Sequence, residues 1–327
     1  MHKQEANPLS QDLRDEFWEK RFLALKRICS EPGKSVFSKL TSKKQDAIIK
    51  IVVSLLEDSD YRVRSQAAVA LGVLKREETR DFLITALADP HDWVRVQVAD
   101  ALGKVGDSRA AQIVAQHLHS EEDAHVRATL IQTLGNIGDE KMLPVLALYL
   151  EDSDSRVRAN CVEAVSRLKI SEASLKTALL KLVNDPSNRV RANIAISLLS
   201  IGEEKGREIL EKMLVSKDEF MRASATYALG EVRESGDKSR LIELLADSSL
   251  LVRKNAVRSL VKHGIKILPQ VVPVLSSSDP AVKIGALEVI KNLKDLSARQ
   301  AVIMLLEDEN GEVRSKAEEV LDSFSGF

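Results

Sequence analysis

The residues of this chain with the most potential for chemistry are two cysteines and a cluster of histidines. Cys29 and Cys161 lie far apart in the sequence, which is typical of a reduced compartment and offers no disulfide framework. His117, His119 and His125 lie among acidic residues in the segment HLHSEEDAH, a composition that could bind a metal. His117 and His119 are two positions apart and would point in different directions on a helix. We therefore interpret the segment as a solvated loop.

The sequence contains none of three common catalytic or nucleotide-binding motifs. It contains no G-x-S-x-G motif, no P-loop and no G-x-G-x-x-G motif. Cys161 falls at an apolar position of the repeat described below, and Cys29 has no predicted histidine partner. The sequence therefore predicts no catalytic residue, no cofactor and no metal site.

Charge and hydropathy exclude other classes of protein. Lys plus Arg number 48 and Asp plus Glu number 49, so the net charge of -1 disfavours binding to nucleic acid through bulk charge. Aromatic residues make up 4% of the chain, few for base-stacking platforms. No segment approaches the roughly 20 apolar residues of a membrane helix, and the first twenty residues show no signal peptide. We expect a cytoplasmic protein without membrane insertion.

The strongest pattern is an internal repeat of about 31 residues. Each repeat has an apolar anchor followed by a basic residue. The anchors are Val63, Val94, Val126, Val157, Val190, Met221, Val252, Val282 and Val313. With the anchor as position 0, apolar residues recur at +4, +8 and +11, which is the stripe of an amphipathic helix.

Position -3 of the repeat carries the residue that should begin this helix. Eight of the nine residues there are Asp, Ser or Asn, which cap helix N-termini, and the exception is His91. A second apolar segment precedes each helix, as in FLITAL (82–87), MLPVLALYL (142–150) and LIELLA (241–246). The sequence thus predicts two antiparallel helices in each repeat. One repeat cannot bury its own apolar face, so the repeats must stack.

The two ends of the chain differ from the repeats between them. We predict an N-terminal helical cap over residues 1–44 and a repeat domain over residues 45–327, whose last helix acts as the C-terminal cap. Phe17, Trp18 and Phe22 should cover the first repeat. Glu318 and Asp322 place charge on the outer face of the last helix.

The motif of the first repeat, DSDYRVRSQAAVALG (58–72), resembles the HEAT repeat in its short bacterial and archaeal form, which is also found in phycobilin lyases. The resemblance covers about residues 45–325. It implies an all-α fold, a right-handed α-solenoid of about nine two-helix repeats behind a helical cap. It is almost silent on function, because function depends on sites added to a fold.

The resemblance also implies a structural ladder between neighbouring repeats, formed by the acid at -5 and the basic residue at +1. The assigned residues are Asp58, Arg64, Asp89, Arg95, Asp152, Arg158, Asp185, Arg191, Asp247, Arg253, Asp308 and Arg314. Arg222 and Lys283 have Ser216 and Ser277 at -5 of their own repeats. We therefore expect the ladder to be broken at Arg222 and Lys283.

Proteins of similar architecture include enzymes. Deoxyhypusine hydroxylase holds two irons with His-Glu dipeptides, and this chain contains no such dipeptide. A DNA glycosylase on a HEAT-like scaffold has a strongly basic inner face, whereas the corresponding positions here mix basic and acidic residues. Phycobilin lyase activity, or another tetrapyrrole-handling role as an enzyme subunit, stays open as the alternative function.

Our main interpretation is a non-enzymatic scaffold or adaptor that binds a protein segment in a concave groove lined by the second helices. Position +3 there is mostly amide or hydroxyl, and amides can both donate to and accept from a peptide backbone. Aromatic residues and arginines, which dominate binding hot spots, occur at -1 and +6. The candidate residues are Trp93, Gln97, Arg156, Asn160, Arg189, Asn193, Phe220, Tyr227 and Asn255.

Overall fold

The computed structural model describes residues 8–30, 37–168, 170–232 and 237–324, and these residues contain helices and no strand. The chain forms two compact units, Met1–Ala178 and Leu179–Phe327. The helices that begin in unit 1 are α1 (Pro8–Asp12), α2 (Trp18–Ile28), α3 (Ser42–Ser54), α4 (Tyr61–Leu74), α5 (Arg80–Ala86), α6 (Asp92–Val105), α7 (Ser108–Ser120), α8 (Ala124–Ile137), α9 (Leu143–Tyr149), α10 (Ser155–Arg167) and α11 (Glu172–Leu180). The all-α prediction is confirmed.

Unit 2 continues the same alternation of helices. Its helices are α12 (Asn188–Ser200), α13 (Lys205–Leu214), α14 (Glu219–Val232), α15 (Asp237–Glu243), α16 (Leu250–Val261), α17 (Leu268–Val271), α18 (Pro280–Leu293), α19 (Arg299–Ile303) and α20 (Gly311–Phe324). The first helix of a repeat is often short and ends in a 3₁₀ turn. After α15, for example, a 3₁₀ turn runs over Leu244–Ala246.

The second helix of each repeat begins where the capping residues predict. The Asp60 carboxylate accepts a hydrogen bond from the backbone N–H of Arg62, and the Asp123 carboxylate accepts two, from His125 and Val126. These bonds satisfy N–H groups that the first turn of a helix leaves without a partner. The exceptional His91 also caps its helix, because its Nδ1 accepts from the backbone N–H of Trp93 at 3.2 Å.

The apolar stripe of the second helices forms the core of each unit. In the first repeat Val63, Ala67 and Leu71 are fully buried. Within unit 1 the second helices α4, α6, α8 and α10 pack side by side, and α2 packs against α4. Within unit 2 the corresponding row is α12, α14, α16, α18 and α20. Each helix thus buries its stripe between two neighbours, which is why stacking is required for stability.

In the N-terminal segment, α2 is the helix that packs on the first repeat. The Asp15 carboxylate accepts from the backbone N–H of Phe17, and α2 starts only at Trp18. Phe17 is exposed, so the expectation that it covers the first repeat was wrong. Trp18 and Phe22 are half-buried, while Leu25 and Ile28 supply the buried face of α2. At the other end Glu318 and Asp322 are exposed, as expected for a final helix.

Glycine at position +9 allows neighbouring second helices to approach closely. A Cβ added to Gly135 would lie 2.6 Å from the Cα of Ala164 on the next helix. A side chain cannot fit against backbone at that distance, so α8 or α10 would have to move.

We expect Gly135→Ala to lower the free energy of unfolding by about 1–3 kcal/mol, because it overpacks the contact between α8 and α10. Urea denaturation measures this change. Gly311→Ala is the control, since a Cβ there would meet only the Arg314 Nη2 atom, at 3.5 Å. Equal destabilisation by the two variants would show that close helix approach is not what Gly135 provides.

Candidate functional site: the exposed face of the second helices

The candidate binding residues lie on a surface formed by the second helices. We call the half-buried and exposed residues at positions -1, +3 and +6 of these helices the second-helix face. Unit 1 contributes Trp93, Gln97, Arg156 and Asn160 to it, and unit 2 contributes Arg189, Asn193, Phe220, Tyr227 and Asn255. The nine residues therefore form two surfaces, one in each unit.

The surface of unit 1 contains a pocket of about 530 Å³ between α2, α4 and α6. We call it the aromatic pocket. Its lining residues are Phe22, Tyr61, Arg62, Ser65, Gln66, Val69, His91, Asp92, Trp93 and Gln97. Trp93 is 49% exposed, which is unusual for so large an apolar side chain. Of the predicted residues, the structure brings Trp93 and Gln97 together here.

Ring stacking holds the walls of the aromatic pocket. The Tyr61 and His91 rings are parallel within 5°, with centroids 3.9 Å apart. The Arg62 guanidinium lies 3.4 Å from the centroid of the Trp18 ring and also pairs with the Asp60 carboxylate, Nη2 to Oδ2, at 2.6 Å. Arg62 is therefore fixed between an aromatic face and a carboxylate. These contacts make the pocket a preformed feature of the fold.

Sequence reasoning missed part of this pocket. It treated Trp18 and Phe22 as cap residues, and it considered neither Tyr61 at position -2 nor His91 at -3 as surface groups. Positions -3, -2 and -1 all lie at the start of the second helix, next to the same positions of the following repeat. This adjacency could have identified Tyr61 and His91 from the sequence. Tyr61 and His91 meet in this way across neighbouring repeats.

The amide side chains at +3 have a structural role that the sequence did not reveal. Asn160 Nδ2 donates to the backbone carbonyl of Ala128 at 2.9 Å, and Asn255 Nδ2 donates to that of Ala223, also at 2.9 Å. Each bond joins a second helix to the preceding one. Asn193, half-buried, occupies the same position on α12. An amide hydrogen used in this way is not available to a partner.

The remaining predicted residues differ in how freely they reach solvent. Arg156 pairs with the Asp154 carboxylate of its own turn at 2.7 Å. Arg189 is exposed in the first turn of α12. Phe220 is 58% exposed, and Tyr227 lies under Lys262, whose Nζ is 4.8 Å from the ring centroid.

Within each unit, ion pairs of the ladder connect one repeat to the one that follows it. Arg64 Nε and Nη2 donate to the two carboxylate oxygens of Asp89 at 2.6 and 3.0 Å, and Asp89 belongs to the next repeat. We call such a pair a rung. Rungs of the same register join Arg21 to Asp58, Arg95 to Glu121, Arg127 to Asp152, Arg222 to Asp247 and Lys283 to Asp308.

The register corrects one expectation from the sequence. Arg222 and Lys283 were expected to lack carboxylate partners because Ser216 and Ser277 occupy -5 of their own repeats. Both residues instead reach the acid of the following repeat, and the Arg222 rung measures 2.8 Å. The serines therefore fall opposite the basic residues one repeat earlier, Arg191 and Arg253.

Each rung carboxylate also caps its own turn. Asp247 Oδ1 accepts from the backbone N–H of Ser249 at 2.8 Å, while Arg222 donates to both oxygens. Burial by itself would raise the pKa of Asp247, but the hydrogen bonds from Arg222 and Ser249 outweigh it and hold the pKa below its usual range. The Arg222 side chain correspondingly has a raised pKa, chiefly through its bond to Asp247.

Neither thiol has the environment of a nucleophile. Cys161 is fully buried and donates to the backbone carbonyl of Leu146 at 2.9 Å, and burial raises its pKa strongly. Burial also raises the pKa of Cys29. His117 and His119 lie on α7 and not in a loop, and across the described residues no group of three or more His, Cys, Asp or Glu side chains is placed to hold a metal ion.

Comparison with known proteins identifies the family. The profile described as HEAT repeats matches residues 49–132, 113–178, 175–261 and 238–322. The chain belongs to the HEAT repeat family. These HEAT repeats are also similar in fold to yeast importin-beta (Kap95p), an α-solenoid, with a TM-score of 0.54 at 13% identity over 97% of this chain and 56% of that one.

Two curated relatives share part of the HEAT repeat region. The uncharacterized phycocyanin operon protein Z of Pseudanabaena tenuis is 28% identical over 134 residues, which is 38% of this chain and 66% of that protein. The bilin biosynthesis protein PecE of Mastigocladus laminosus is 36% identical over 99 residues, 30% of this chain and 36% of PecE. The chain thus spans less than two thirds of either relative. In the described part of the chain, no helix has the length and apolar character to span a membrane.

We expect the rung of Arg64 and Asp89 to stabilise the fold more than an exposed pair does. Asp89→Asn keeps an oxygen for the turn but removes the charge beside a guanidinium whose side chain is only 14% exposed. The free energy of unfolding should fall by about 2–3 kcal/mol. Asp154→Asn is the matched control, because the Arg156 side chain is 56% exposed, and it should cost at most about 1 kcal/mol. Similar losses in chemical denaturation would contradict a special role for the rungs.

We expect acid to weaken the rung of Arg222 and Asp247. The folded pKa of Asp247 lies below the ordinary value of 3.8, so the unfolded chain binds the proton more readily. The contribution is complete above about pH 5 and is lost as the pH falls below about 4. Urea midpoints measured from pH 6 to pH 3 should fall less for Asp247→Asn than for wild type. Asp322→Asn, on the exposed face of α20, should follow wild type; a slope unchanged by Asp247→Asn would refute this linkage.

Proposed function

We propose that the chain is a non-enzymatic binding module that holds an extended protein segment on the second-helix face of unit 1. The observation that carries this proposal is the pairing of Trp93 with Gln97 in the aromatic pocket. Trp93 offers a half-exposed aromatic face on a wall that is already ordered. Aromatic side chains of this kind contribute most of the binding energy in many interfaces.

Gln97 supplies the polar part of the site. Its side chain is half-buried, and its amide has no hydrogen-bond partner among the residues that the structure describes. It therefore differs from Asn160 and Asn255, whose amide hydrogens are bonded to the preceding helix. An amide with both a free donor and a free acceptor suits a peptide backbone. We propose that an apolar side chain of the partner packs on Trp93 while its backbone bonds to Gln97.

The ordered walls of the pocket also support binding of a protein segment and not of a broad surface. Tyr61, His91 and Arg62 line the pocket without filling it, and they are held by the stack of Tyr61 on His91 and by the contact of Arg62 with Trp18. A pocket with ordered walls reduces the entropy that binding must overcome. Family membership supports the proposal in general terms, since stacked repeats form extended binding surfaces.

The proposal predicts that Trp93→Ala weakens binding of a protein segment by at least about tenfold. Peptides displayed from the proteome of the source organism would be selected on the full chain, and their affinities measured by intrinsic fluorescence. Trp93 lines the pocket and Trp18, the other tryptophan of the chain, stacks on the lining residue Arg62, so the fluorescence reports on this region.

Leu148→Ala is the matched control for this experiment. Leu148 is 65% exposed on α9, a first helix, and lies outside the aromatic pocket. It should leave affinity unchanged, while Gln97→Ala should reduce it by several fold. Peptides that bind wild type, Trp93→Ala and Gln97→Ala equally well would overturn the proposal.

A second candidate function, the handling of an open-chain tetrapyrrole, is favoured by the names of the two relatives. One is a phycocyanin operon protein and the other a bilin biosynthesis protein. An absorbance titration with biliverdin tests this candidate on the same variants. A red-shifted, saturable spectrum that Trp93→Ala removes and Leu148→Ala retains would favour it over peptide binding. A spectrum identical to that of free biliverdin would reject it.

A further inference from the structure

The ladder in unit 2 contains a break, where a basic residue has no carboxylate partner among the residues that the structure describes. Arg191 on α12 is in the position from which Arg64 reaches Asp89 and Arg222 reaches Asp247. The residue at the corresponding acid position is Ser216, which follows α13. A serine hydroxyl carries no charge, so this rung has a cation and no anion.

The side chain of Arg191 shows the consequence of the break. Its Nε atom is buried and has no hydrogen-bond partner within the described residues. Its Nη2 lies 2.6 Å from the sulfur of Met221, and a thioether is a weak acceptor. A buried donor of a charged group without a partner is costly, so the site would gain from any anion that reaches it.

Ser216 retains one of the two roles of a rung carboxylate. Its Oγ accepts from the backbone N–H of Asp218 at 3.2 Å, as Asp89 accepts from His91 at 2.9 Å. The turn therefore has the same local arrangement as in an intact rung, and only the charge is missing. Ser216 is half-buried, while the adjacent Val215 is 73% exposed, so solvent reaches this turn.

The acidic residues of the same turn are directed to other groups. Asp218 Oδ1 accepts from the backbone N–H of Phe220 at 2.9 Å, and the Glu219 carboxylate accepts from the Ser249 hydroxyl of the next repeat. Among the described residues, neither Asp218 nor Glu219 forms an ion pair with Arg191. Because both carboxylates are bonded elsewhere, the Arg191 guanidinium is the charged group that an anion would meet at the break.

We propose that the break between Arg191 and Ser216 is a phosphate-binding site. Guanidinium groups bind phosphate oxygens with strong, charge-assisted hydrogen bonds, and the Ser216 hydroxyl can donate one more. The intact rung between Arg95 and Glu121, at 2.8 and 2.9 Å, shows that the ladder accepts an anion farther from the backbone than an aspartate. A phosphoryl group on Ser216 would likewise extend farther from the backbone than an aspartate carboxylate does.

Two sources supply this phosphate group. One is the free phosphate ion. The other is a phosphate ester on Ser216, formed when its hydroxyl oxygen takes the terminal phosphoryl group of a nucleoside triphosphate in a protein kinase reaction. That transfer forms the bond between Oγ and phosphorus, breaks the bond from phosphorus to the bridging oxygen, and releases nucleoside diphosphate and a proton.

The second break in unit 2 provides a matched control. Ser277 stands at the acid position that follows Arg253, but no Arg253 nitrogen is among the buried, unpartnered atoms of the described residues. Arg253 Nη1 donates to the backbone carbonyls of Asp247 and Ser248 at 2.7 and 3.1 Å. Ser277→Asp therefore changes the same ladder position without touching the proposed site.

The test is thermal unfolding of the full chain in a phosphate series, with chloride holding the ionic strength constant. We expect the wild-type midpoint to rise by about 3 °C and to saturate, because phosphate binds the folded state. Ser216→Asp should raise the midpoint without phosphate and abolish the response, because its carboxylate completes the rung. Arg191→Gln should also abolish the response, and Ser277→Asp should retain it.

Separate outcomes distinguish the sources and overturn the proposal. If Arg191→Gln fails to fold, Ser216→Asp still tests the proposal, because this variant adds the predicted ion pair and does not remove one. Mass spectrometry of the chain from its native cells supports the ester if the Ser216 peptide carries one phosphate. A saturable phosphate response on an unmodified chain supports the free ion. Equal responses in wild type, Arg191→Gln and Ser216→Asp, or no response together with an unmodified Ser216, would overturn it.

Discussion

Where the ladder is intact within a unit, one repeat is tied to the next by a carboxylate that performs two tasks at once. The acid at position -5 accepts a backbone N–H of its own turn and both arms of a guanidinium from the preceding repeat, as Asp89 does for His91 and Arg64. The first task sets the chain direction at the start of the second helix, and the second fixes that turn against the neighbouring layer. One carboxylate thus both starts the second helix and holds it against the neighbouring repeat. The apolar stripes of the two repeats therefore meet in the correct register.

Side chains of the second-helix face also take part in packing between neighbouring helices. Polar groups that the sequence offers to a partner are partly committed to the fold, as the Asn160 and Asn255 bonds to the preceding helix show. The aromatic pocket lies where one layer departs from that arrangement. In unit 1 the departure is aromatic, with Tyr61, His91 and Trp93 around a pocket beside the cap helix.

HEAT repeats occur in binding proteins and in enzymes, and the scaffold itself does not decide between them. In this chain the buried Cys161 is a packing residue. The pocket in unit 1 presents an aromatic surface and the ladder break in unit 2 presents a guanidinium, and the two proposals rest on these groups. The two features lie in different units.

The sequence by itself determined the helical repeat, its anchors and its caps, because these depend on the order of residues along one helix. The spacing of Val63, Ala67 and Leu71 places all three on one buried stripe, whatever the neighbours are. The tertiary structure alone decided the partner of each basic residue, since Arg222 has a serine in its own repeat and an aspartate in the next, and only packing brings Asp247 within 2.8 Å. It also decided the use of Asn160, and it assembled the aromatic pocket from three helices. Contacts between layers depend on helix separation and rotation, which a one-dimensional pattern does not contain.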